Sequence, residues 1–263
     1  MPLGVEIAHD LVRVATNLRK NYSFKFARPD MKSQVTIDYS DKKPKIHTIL
    51  MSIQHNPFSN FKDEKEFKKF IIENIMQKVA KKYNLNSDFK VLINPTGRFV
   101  IGGPDGDTGL TGRKIVVDSY GGYAHNGGGA FSGKDATKVD RTAAYMARKV
   151  AKHIVAIGWA KECEIQLAYA IGLEQPVSIS LNTFNTEKIN FNSIFQIIQN
   201  VFDFSIQGMI DTLDLTKPIF QKTAVYGHFG KGEEFSWERL DYLEKLQNYY
   251  NKNYCNKLKK NAY

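Results

Sequence analysis

The segment at residues 97–141 reads GRFVIGGPDGDTGLTGRKIVVDSYGGYAHNGGGAFSGKDATKVDR and decides how the chain can be organised. Residues 97–133 hold 12 of the 19 glycines, around one short predicted strand at Lys114–Tyr120. Glycine is needed where the backbone takes a positive φ or approaches a ligand closely. Long irregular segments are uncommon in compact domains unless they have a function. The segment therefore predicts a ligand-binding loop, and an ordinary surface loop with many turns is the alternative.

Positive and negative side chains alternate with these glycines. Lys and Arg hold phosphate groups, and carboxylates bind the metal ions that accompany them. The run Gly127–Lys134 leads directly into a predicted helix, so its backbone N–H groups would point toward an anion. We therefore expect an anion or nucleotide site. The charged residues in question are Arg98, Asp105, Asp107, Arg113, Lys114, Lys134, Asp135, Lys138 and Asp140.

The run Gly127–Lys134 differs from the two common phosphate-binding motifs. A P-loop requires Ser or Thr after its lysine, where this chain has Asp135. A dinucleotide-binding fingerprint requires a glycine turn directly after a strand of a βαβ unit, and Gly127 does not follow one. The sequence contains no G-x-S-x-G nucleophile motif, and its six histidines show no metal-ligand spacing. Spacing alone leaves the ligand open.

On both sides of this segment, apolar periodicity predicts blocks in which helices cover one face of a sheet, an α+β arrangement. In the N-terminal block we expect helices at 4–20 and 62–84 and strands at 33–39, 45–52 and 89–94. In the C-terminal block we expect helices at 137–157, 191–202, 207–213 and 236–250 and strands at 164–171 and 176–184.

Composition excludes several classes of protein. Hydrophobic residues make up 42% of the 263 residues and charged residues 24%, which excludes a wholly disordered chain. No stretch approaches the ~18 consecutive apolar residues of a membrane span. The only cysteines, Cys163 and Cys255, cannot form a disulfide scaffold or a structural zinc cluster within one chain. The N-terminal residues do not resemble a signal peptide, so we expect a cytoplasmic protein.

The net charge of +10 allows phosphate ligands, nucleic acid or a merely basic surface. Residues 97–142 carry six basic and five acidic side chains, whereas residues 1–96 carry 17 and 10 and residues 245–263 carry five and none. The excess therefore lies on the lysine-rich helix at 62–84 and in a basic tail, which we interpret as solvated surface. These lysines lack the interleaved aromatic residues of a single-strand groove. We expect neither nucleic acid nor a membrane as a partner.

Three motifs closely resemble those of the S-adenosylmethionine synthetases, also called methionine adenosyltransferases. RPDMKSQVT spans residues 28–36, NPTGRFVIGGPDGDTGLTGRKIVVDSYGG spans 94–122, and GGGAFSGKDATKVDRTAAY spans 127–145. Shorter agreements at residues 54–55 and 226–230 extend the likeness to about Trp237. Motifs of this length make chance agreement negligible.

This resemblance implies that the protein joins ATP and L-methionine into S-adenosylmethionine and hydrolyses the displaced tripolyphosphate. It implies Mg²⁺ and K⁺ as cofactors, and a homodimer or homotetramer with active sites between subunits. Because a thioether sulfur carries no proton, its attack on the ribose C5′ needs no general base. Positioning and charge stabilisation must then supply the catalysis. A catalytically inactive nucleotide-binding or regulatory subunit of the same family is the alternative.

The matching motif positions imply a role for individual residues of this sequence. The expected catalytic residues are Lys32, Arg113 and Lys134, the expected methionine contacts are Asp107 and Lys138, and the expected metal ligand is Asp140. The expected ATP-binding residues are Asp30, Lys32, Arg98, Phe99, Asp107, Arg113, Lys114, Ala130 and Lys134.

The chain also departs from the family pattern. It contains no G-H-P-D-K motif, whose histidine is the family's catalytic residue and whose aspartate binds Mg²⁺, and Ala136 stands where a proline is usual. Because Met1 aligns with an internal position, we expect the first third of a full-length enzyme to be absent. From the family's pseudo-threefold arrangement of three similar α+β domains, we expect one domain at 1–102, a remnant of the middle domain at 103–142 and a C-terminal domain at 143–263. We expect such a remnant to expose unpaired edges, so that the chain folds poorly alone or needs a partner.

Overall fold

The structure of the protein, a computed structural model, describes residues 1–255. The chain divides into two compact units, Met1–Leu110 and Thr111–Tyr263. Each unit combines helices with a small sheet, which confirms the expected α+β class. The finer division at residues 102 and 142 stays a prediction. None of the described helices has the length and apolar composition that a membrane span requires.

The first unit is a three-stranded sheet covered by helices. β1 (Ala27–Asp38) pairs antiparallel with β2 (Lys45–His55), and β3 (Lys90–Ile93) runs parallel to β2 on its other side. The helices are α1 (Leu3–Lys20), α2 (Phe61–Ile71) and α3 (Gln77–Lys82), with a π-helical turn at Ile72–Met76 joining the last two. The helix predicted at 62–84 is therefore confirmed as one nearly continuous stretch.

The apolar residues of the three helices and of the sheet form one buried cluster, and α1 lies along β1. Leu11 of α1, Phe67 of α2 and Ile49 and Met51 of β2 are buried in one apolar cluster. Burying a side chain of this size contributes about 1.5–3 kcal/mol. Asn60 begins α2 by accepting a hydrogen bond from the backbone N–H of Asp63. The alternation of apolar residues along β2 places its polar side chains on the opposite face.

The predicted start of β1 at residue 33 is wrong, because the strand begins at Ala27. The register between Ala27 and Met31 is irregular, so the apolar and polar residues there do not alternate. The earlier start places Asp30 and Lys32, two residues expected at the nucleotide, on the strand beside the end of β2.

The second unit contains a two-stranded antiparallel sheet formed by β4 (Glu164–Ala168) and β5 (Ser178–Asn182). Both strands are shorter than predicted. The helices predicted at 137–157, 191–202 and 207–213 are confirmed, whereas the C-terminal one begins only at Leu243 after a 3₁₀ turn at Ser236–Glu238. The helices are α4 (Ile115–Asp118), α5 (Val139–Ala156), α6 (Phe191–Val201), α7 (Ile206–Thr212) and α8 (Leu243–Tyr250). The predicted basic tail lies partly outside the described residues.

The strand predicted at Lys114–Tyr120 is wrong, because Ile115–Asp118 forms a single helical turn, α4. A short apolar run such as Ile115–Val117 has no period that separates strand from helix, and a strand also needs a partner. Val116, Val117 and Tyr123 remain exposed. Whether the chain folds poorly alone stays a prediction.

Glu238 is the most enclosed carboxylate of the second unit, with 1% of its surface exposed. Arg148 of α5 donates to both of its oxygens at 3.0 Å, and the backbone N–H of Gly230 donates to Oε1 at 2.8 Å. Burial alone would raise the pKa of this carboxyl, but the bonds from Arg148 and Gly230 lower the pKa below its usual value. The pair therefore ties α5 to the turn at Ser236–Glu238.

We expect Glu238→Gln to lower the free energy of unfolding by about 3–5 kcal/mol at neutral pH, because Arg148 is left buried without its carboxylate. Since the folded pKa lies below the usual 4.5, the contribution of the pair is complete above that pH. This contribution is lost as the pH falls through the pKa that Glu238 has in the folded protein. Urea unfolding from pH 7 downward should show a steeper acid loss for the wild type than for Glu238→Gln. Parallel pH profiles would contradict this assignment.

Candidate functional site

In the first unit, the residues expected at the nucleotide lie around the ends of β1 and β2. The segment Phe99–Gly103 runs beside the last residues of β2. The backbone N–H of His55 donates to the carbonyl of Phe99 at 2.9 Å, and Gln54 Nε2 donates to the carbonyl of Val100 at 3.0 Å. These bonds fix the backbone on which the Phe99 ring is carried.

The imidazole of His55 is a buried connector between β2 and this segment. The backbone N–H of Phe99 donates to its Nε2 at 3.1 Å, so the proton of the neutral ring belongs on Nδ1, which lies 2.8 Å from the carbonyl of Asn56. The ring also stacks on Phe58, with centroids 4.1 Å apart. Both nitrogens are thus engaged by the backbone, which gives the residue a positioning role.

Asp30 and Gly102 meet where β1 approaches the same segment. Asp30 Oδ2 accepts a hydrogen bond from the backbone N–H of Gly103 at 2.8 Å. A Cβ at Gly102 would lie 2.8 Å from the Gln54 side chain and 3.0 Å from both Asp30 and the Phe99 ring, so only glycine fits here. An open cleft of about 380 Å³ lies beside this contact and is lined in part by Gln54 and Gly102.

The other charged residues expected at the site in the first unit are exposed, whereas Asp30 is bonded to the backbone of Gly103. Lys32 is exposed on β1 opposite Ser52. Arg98, directly before the segment Phe99–Gly103, and Asp107, four residues after it, are also exposed. Phe99 between them is only partly exposed. In the first unit these three charged side chains are thus accessible, whereas the aromatic ring is partly covered.

In the second unit, the glycine-rich run Gly127–Lys134 lies against the start of α5. A Cβ at Gly129 would lie within 2.3–2.7 Å of the Asp140 side chain, and one at Gly112 would lie 2.6 Å from the Cβ of Ala130. Gly128 and Gly133 have φ values of +84° and +90°. The sequence predicts glycines for close approach or positive φ, and both reasons are present. The close approaches are to the protein's own atoms.

The charges around the start of α5 form two ion pairs. Lys134 Nζ donates to Asp140 Oδ2, and Lys138 Nζ donates to Asp135 Oδ2 at 2.9 Å. Asp135 Oδ1 also accepts from the backbone N–H of Thr137 at 2.8 Å. The bonds from the Thr137 hydroxyl, Lys138 and the Thr137 backbone together lower the pKa of Asp135. These pairs are accessible to water, and exposed pairs of this kind exchange partners at little cost.

The remaining expected residues of the second unit are Arg113, Lys114 and Ala130. Arg113 and Lys114 are exposed immediately before α4, and Ala130 is partly covered in the glycine-rich run. The structure therefore brings Lys134, Lys138 and Asp140 together at the start of α5.

Within residues 1–255, no three His, Cys, Asp or Glu side chains are grouped as a metal cluster. Mg²⁺ is commonly bound through one or two carboxylates together with substrate phosphates. Asp140 fits that mode, since its side chain is 46% exposed and its present partner is the ammonium of Lys134. Among residues 1–255, no cluster of carboxylates would bind Mg²⁺ without phosphate.

Sequence reasoning missed a buried polar network beneath the glycine-rich run. Arg141, on α5, donates from Nη1 to the carbonyl of Lys134 at 2.7 Å and from Nε to the Tyr145 hydroxyl at 3.0 Å. The Tyr145 hydroxyl lies 2.6 Å from Nδ1 of His228. Burial, followed by the positive charge of Arg141, lowers the pKa of His228 to about 4. Only the motif agreement at residues 226–230 pointed to His228, and no signal in the sequence joined it to α5.

We expect Gly129→Ala to push Asp140 away from the glycine-rich run and to lower the free energy of unfolding by about 1–3 kcal/mol, as overpacking does. Gly127→Ala is the matched control, because a Cβ there meets nothing within 4 Å and the residue has no positive φ. It should change stability by less than about 0.5 kcal/mol. Urea unfolding of both variants measures the difference, and equal effects would contradict the packing described here.

Family models and known proteins match nearly all of the described chain. Residues 1–99 match the family model for the central domain of S-adenosylmethionine synthetase, and residues 101–239 match the model for its C-terminal domain. The proteins named S-adenosylmethionine synthase from Mycoplasma capricolum and Mycoplasma mycoides are each 64% identical over 250 residues, which cover 95% of this chain. The protein of that name from Mesoplasma florum is 62% identical over 248 residues.

The chain spans 64–65% of the length of these relatives. The matched residues extend into both structural units, and the motifs at 28–36, 94–122 and 127–145 lie within them apart from Val100. The chain therefore belongs to the S-adenosylmethionine synthetase family.

Proposed function

We propose that this chain is part of a methionine adenosyltransferase and binds ATP, L-methionine and the tripolyphosphate product. The observation that carries the proposal is the glycine-rich run at the start of α5, with the ammonium group of Lys134 beside it. Glycine-lined backbone and accessible cations at a helix start suit a polyphosphate. The names of the relatives support this reaction.

In the proposed reaction, the sulfur of methionine attacks the ribose C5′ of ATP while the bond from C5′ to the tripolyphosphate oxygen breaks. The sulfur needs no base, so the protein must align the two substrates and stabilise the negative charge of the leaving group. We assign the second task to Arg113, Lys114 and Lys134, with Lys32 of the first unit on phosphate. Removing one such contact should slow the reaction on the order of 10²-fold.

We assign recognition of the nucleoside to the first unit. The Phe99 ring, held by the bonds of His55 and Gln54, offers a face on which adenine can stack. Arg98 and Asp30 flank it, and Asp30 also fixes the backbone at Gly103. A rigid platform reduces the entropy lost when the ligand binds.

Methionine carries both an ammonium and a carboxylate group. We assign the first to Asp107 and the second to Lys138, whose ammonium is paired with Asp135 and can exchange partners. Opposite charges on the protein suit such a zwitterion. We also propose that the enzyme hydrolyses the displaced tripolyphosphate after S-adenosylmethionine has formed.

Mg²⁺ and K⁺ are part of the proposal as cofactors. Asp140 would hold Mg²⁺ through one carboxylate, with phosphate oxygens completing its coordination. Mg²⁺ would neutralise charge on the tripolyphosphate when bound. The proposal also includes a cytoplasmic homodimer or homotetramer with active sites between subunits.

An inactive nucleotide-binding or regulatory subunit is the second candidate. Such a subunit would keep the nucleotide contacts of the glycine-rich run and bind ATP without turnover. Incubating the purified chain with ATP, methionine, Mg²⁺ and K⁺ separates the two candidates. Formation of S-adenosylmethionine by this chain contradicts an inactive subunit, whereas failure to bind ATP contradicts both candidates.

We expect Lys134→Met to weaken the binding of Mg²⁺-tripolyphosphate by about 10–100-fold, because it removes one charge-assisted hydrogen bond worth ~1.5–3 kcal/mol. Titration calorimetry of the purified chain measures the dissociation constant. Lys161→Met is the matched control, since Lys161 is an exposed lysine of the same unit in the turn between α5 and β4. Equal affinities for all three proteins would contradict the proposed site.

A further inference from the structure

Arg141 differs from the other buried cations of α5 in its partners. Arg148 is paired with Glu238, and Lys149 with Asp241 at 2.5 Å. Arg141 is only 3% exposed, and among the described residues its guanidinium has no carboxylate partner. A buried charge without an opposite charge lowers stability, so its presence calls for a reason other than stability.

The partners of Arg141 are three neutral oxygens that belong to three different parts of the unit. Nη1 donates to the carbonyl of Lys134 at 2.7 Å, and Nη2 donates to the hydroxyl of Thr223 at 3.0 Å. Nε donates to the hydroxyl of Tyr145, on the same helix. The guanidinium also lies 3.6 Å above the ring of Phe220. The planar guanidinium carries N–H donors on three nitrogens that point in different directions, whereas lysine has a single ammonium nitrogen and cannot reach all three acceptors.

A chain of hydrogen bonds leads from Arg141 through Tyr145 and His228 to a second residue of the glycine-rich run, Ser132. Because the Tyr145 hydroxyl accepts from Arg141, its own proton is donated to His228 Nδ1, 2.6 Å away. The neutral imidazole then carries its proton on Nε2, which faces the Ser132 hydroxyl at 3.4 Å. The Phe131 ring packs edge-on against the same imidazole, with centroids 5.0 Å apart.

We propose that Arg141 is a positioning residue for the polyphosphate site, which fixes the main chain of Lys134 so that its ammonium meets the anion. The inference rests on the proposed function, because it assigns Lys134 to the anion. Arg141 itself lies beneath the run and acts through Lys134. The bonds to Tyr145 and Thr223 hold the guanidinium, and its bond to the Lys134 carbonyl holds the run in one geometry, so ligand binding does not have to order it.

A double-mutant cycle tests this proposal, with Arg141→Lys and Lys134→Met made singly and together. Arg141→Lys keeps the positive charge but loses the fork. We expect it to weaken Mg²⁺-tripolyphosphate binding about tenfold when Lys134 is present and less than about twofold in the Lys134→Met chain. A residue that merely supports the fold would weaken binding equally in both backgrounds, and additive losses would overturn the proposal.

Arg148→Lys is the matched control, because it alters a buried, bidentate arginine of the same helix that contacts Glu238 rather than the glycine-rich run. Its tripolyphosphate affinity should stay within about twofold of the wild type. A loss as large as that of Arg141→Lys would overturn the proposal. Thr223→Val, which removes one of the three acceptors, replaces Arg141→Lys if that variant does not fold, and it should show a smaller loss with the same dependence on Lys134.

Amide hydrogen exchange without ligand supplies an independent readout. In Arg141→Lys the amides of residues 130–135 should exchange faster, while those of α6 should keep their wild-type rates. Unchanged exchange at 130–135 would overturn the proposal. If the wild-type chain does not bind Mg²⁺-tripolyphosphate, the proposed function fails, and the exchange rates still decide whether Arg141 holds the main chain of Lys134.

Discussion

The close approach of the glycine-rich run to the first turn of α5 is the contact on which the candidate site of the second unit depends. The backbone at Gly129 lies so near Asp140 that a methyl group has no room. This approach brings Lys134 to the same carboxylate and places the Phe131 ring in an edge-to-face contact with Tyr145. The cations expected at the polyphosphate are therefore set by packing between backbone and helix as much as by their own charges.

Helix α5 supports both the core and this site because residues three to four positions apart share one helix face. Arg141 and Tyr145 point beneath the glycine-rich run, and one turn further on Arg148 and Lys149 meet the carboxylates of the C-terminal segment. The buried ion pairs fix the helix in the unit. The helix in turn holds the hydrogen bonds that fix the run.

Local sequence signals predicted most helices and the central parts of the strands, since amphipathic periods of this strength are hard to mistake. They failed where contacts with distant segments determine the secondary structure. The apolar run at Ile115–Val117 became a helical turn, and β1 gained the residues around Asp30 through irregular pairing with β2. Motif resemblance supplied the expected site residues. It did not supply the network of Arg141 and His228, which are far apart in the sequence.

The sequence by itself determined the α+β class, the family and the presence of cations and glycines at a helix start, because these are carried by composition, period and motif. Only the tertiary structure decided which glycines serve a positive φ and which serve close contact. It also decided that Lys134 meets Asp140 while Arg141 meets no carboxylate. The physical reason is that such pairings depend on distances between segments, and those distances are fixed by packing that no local propensity encodes.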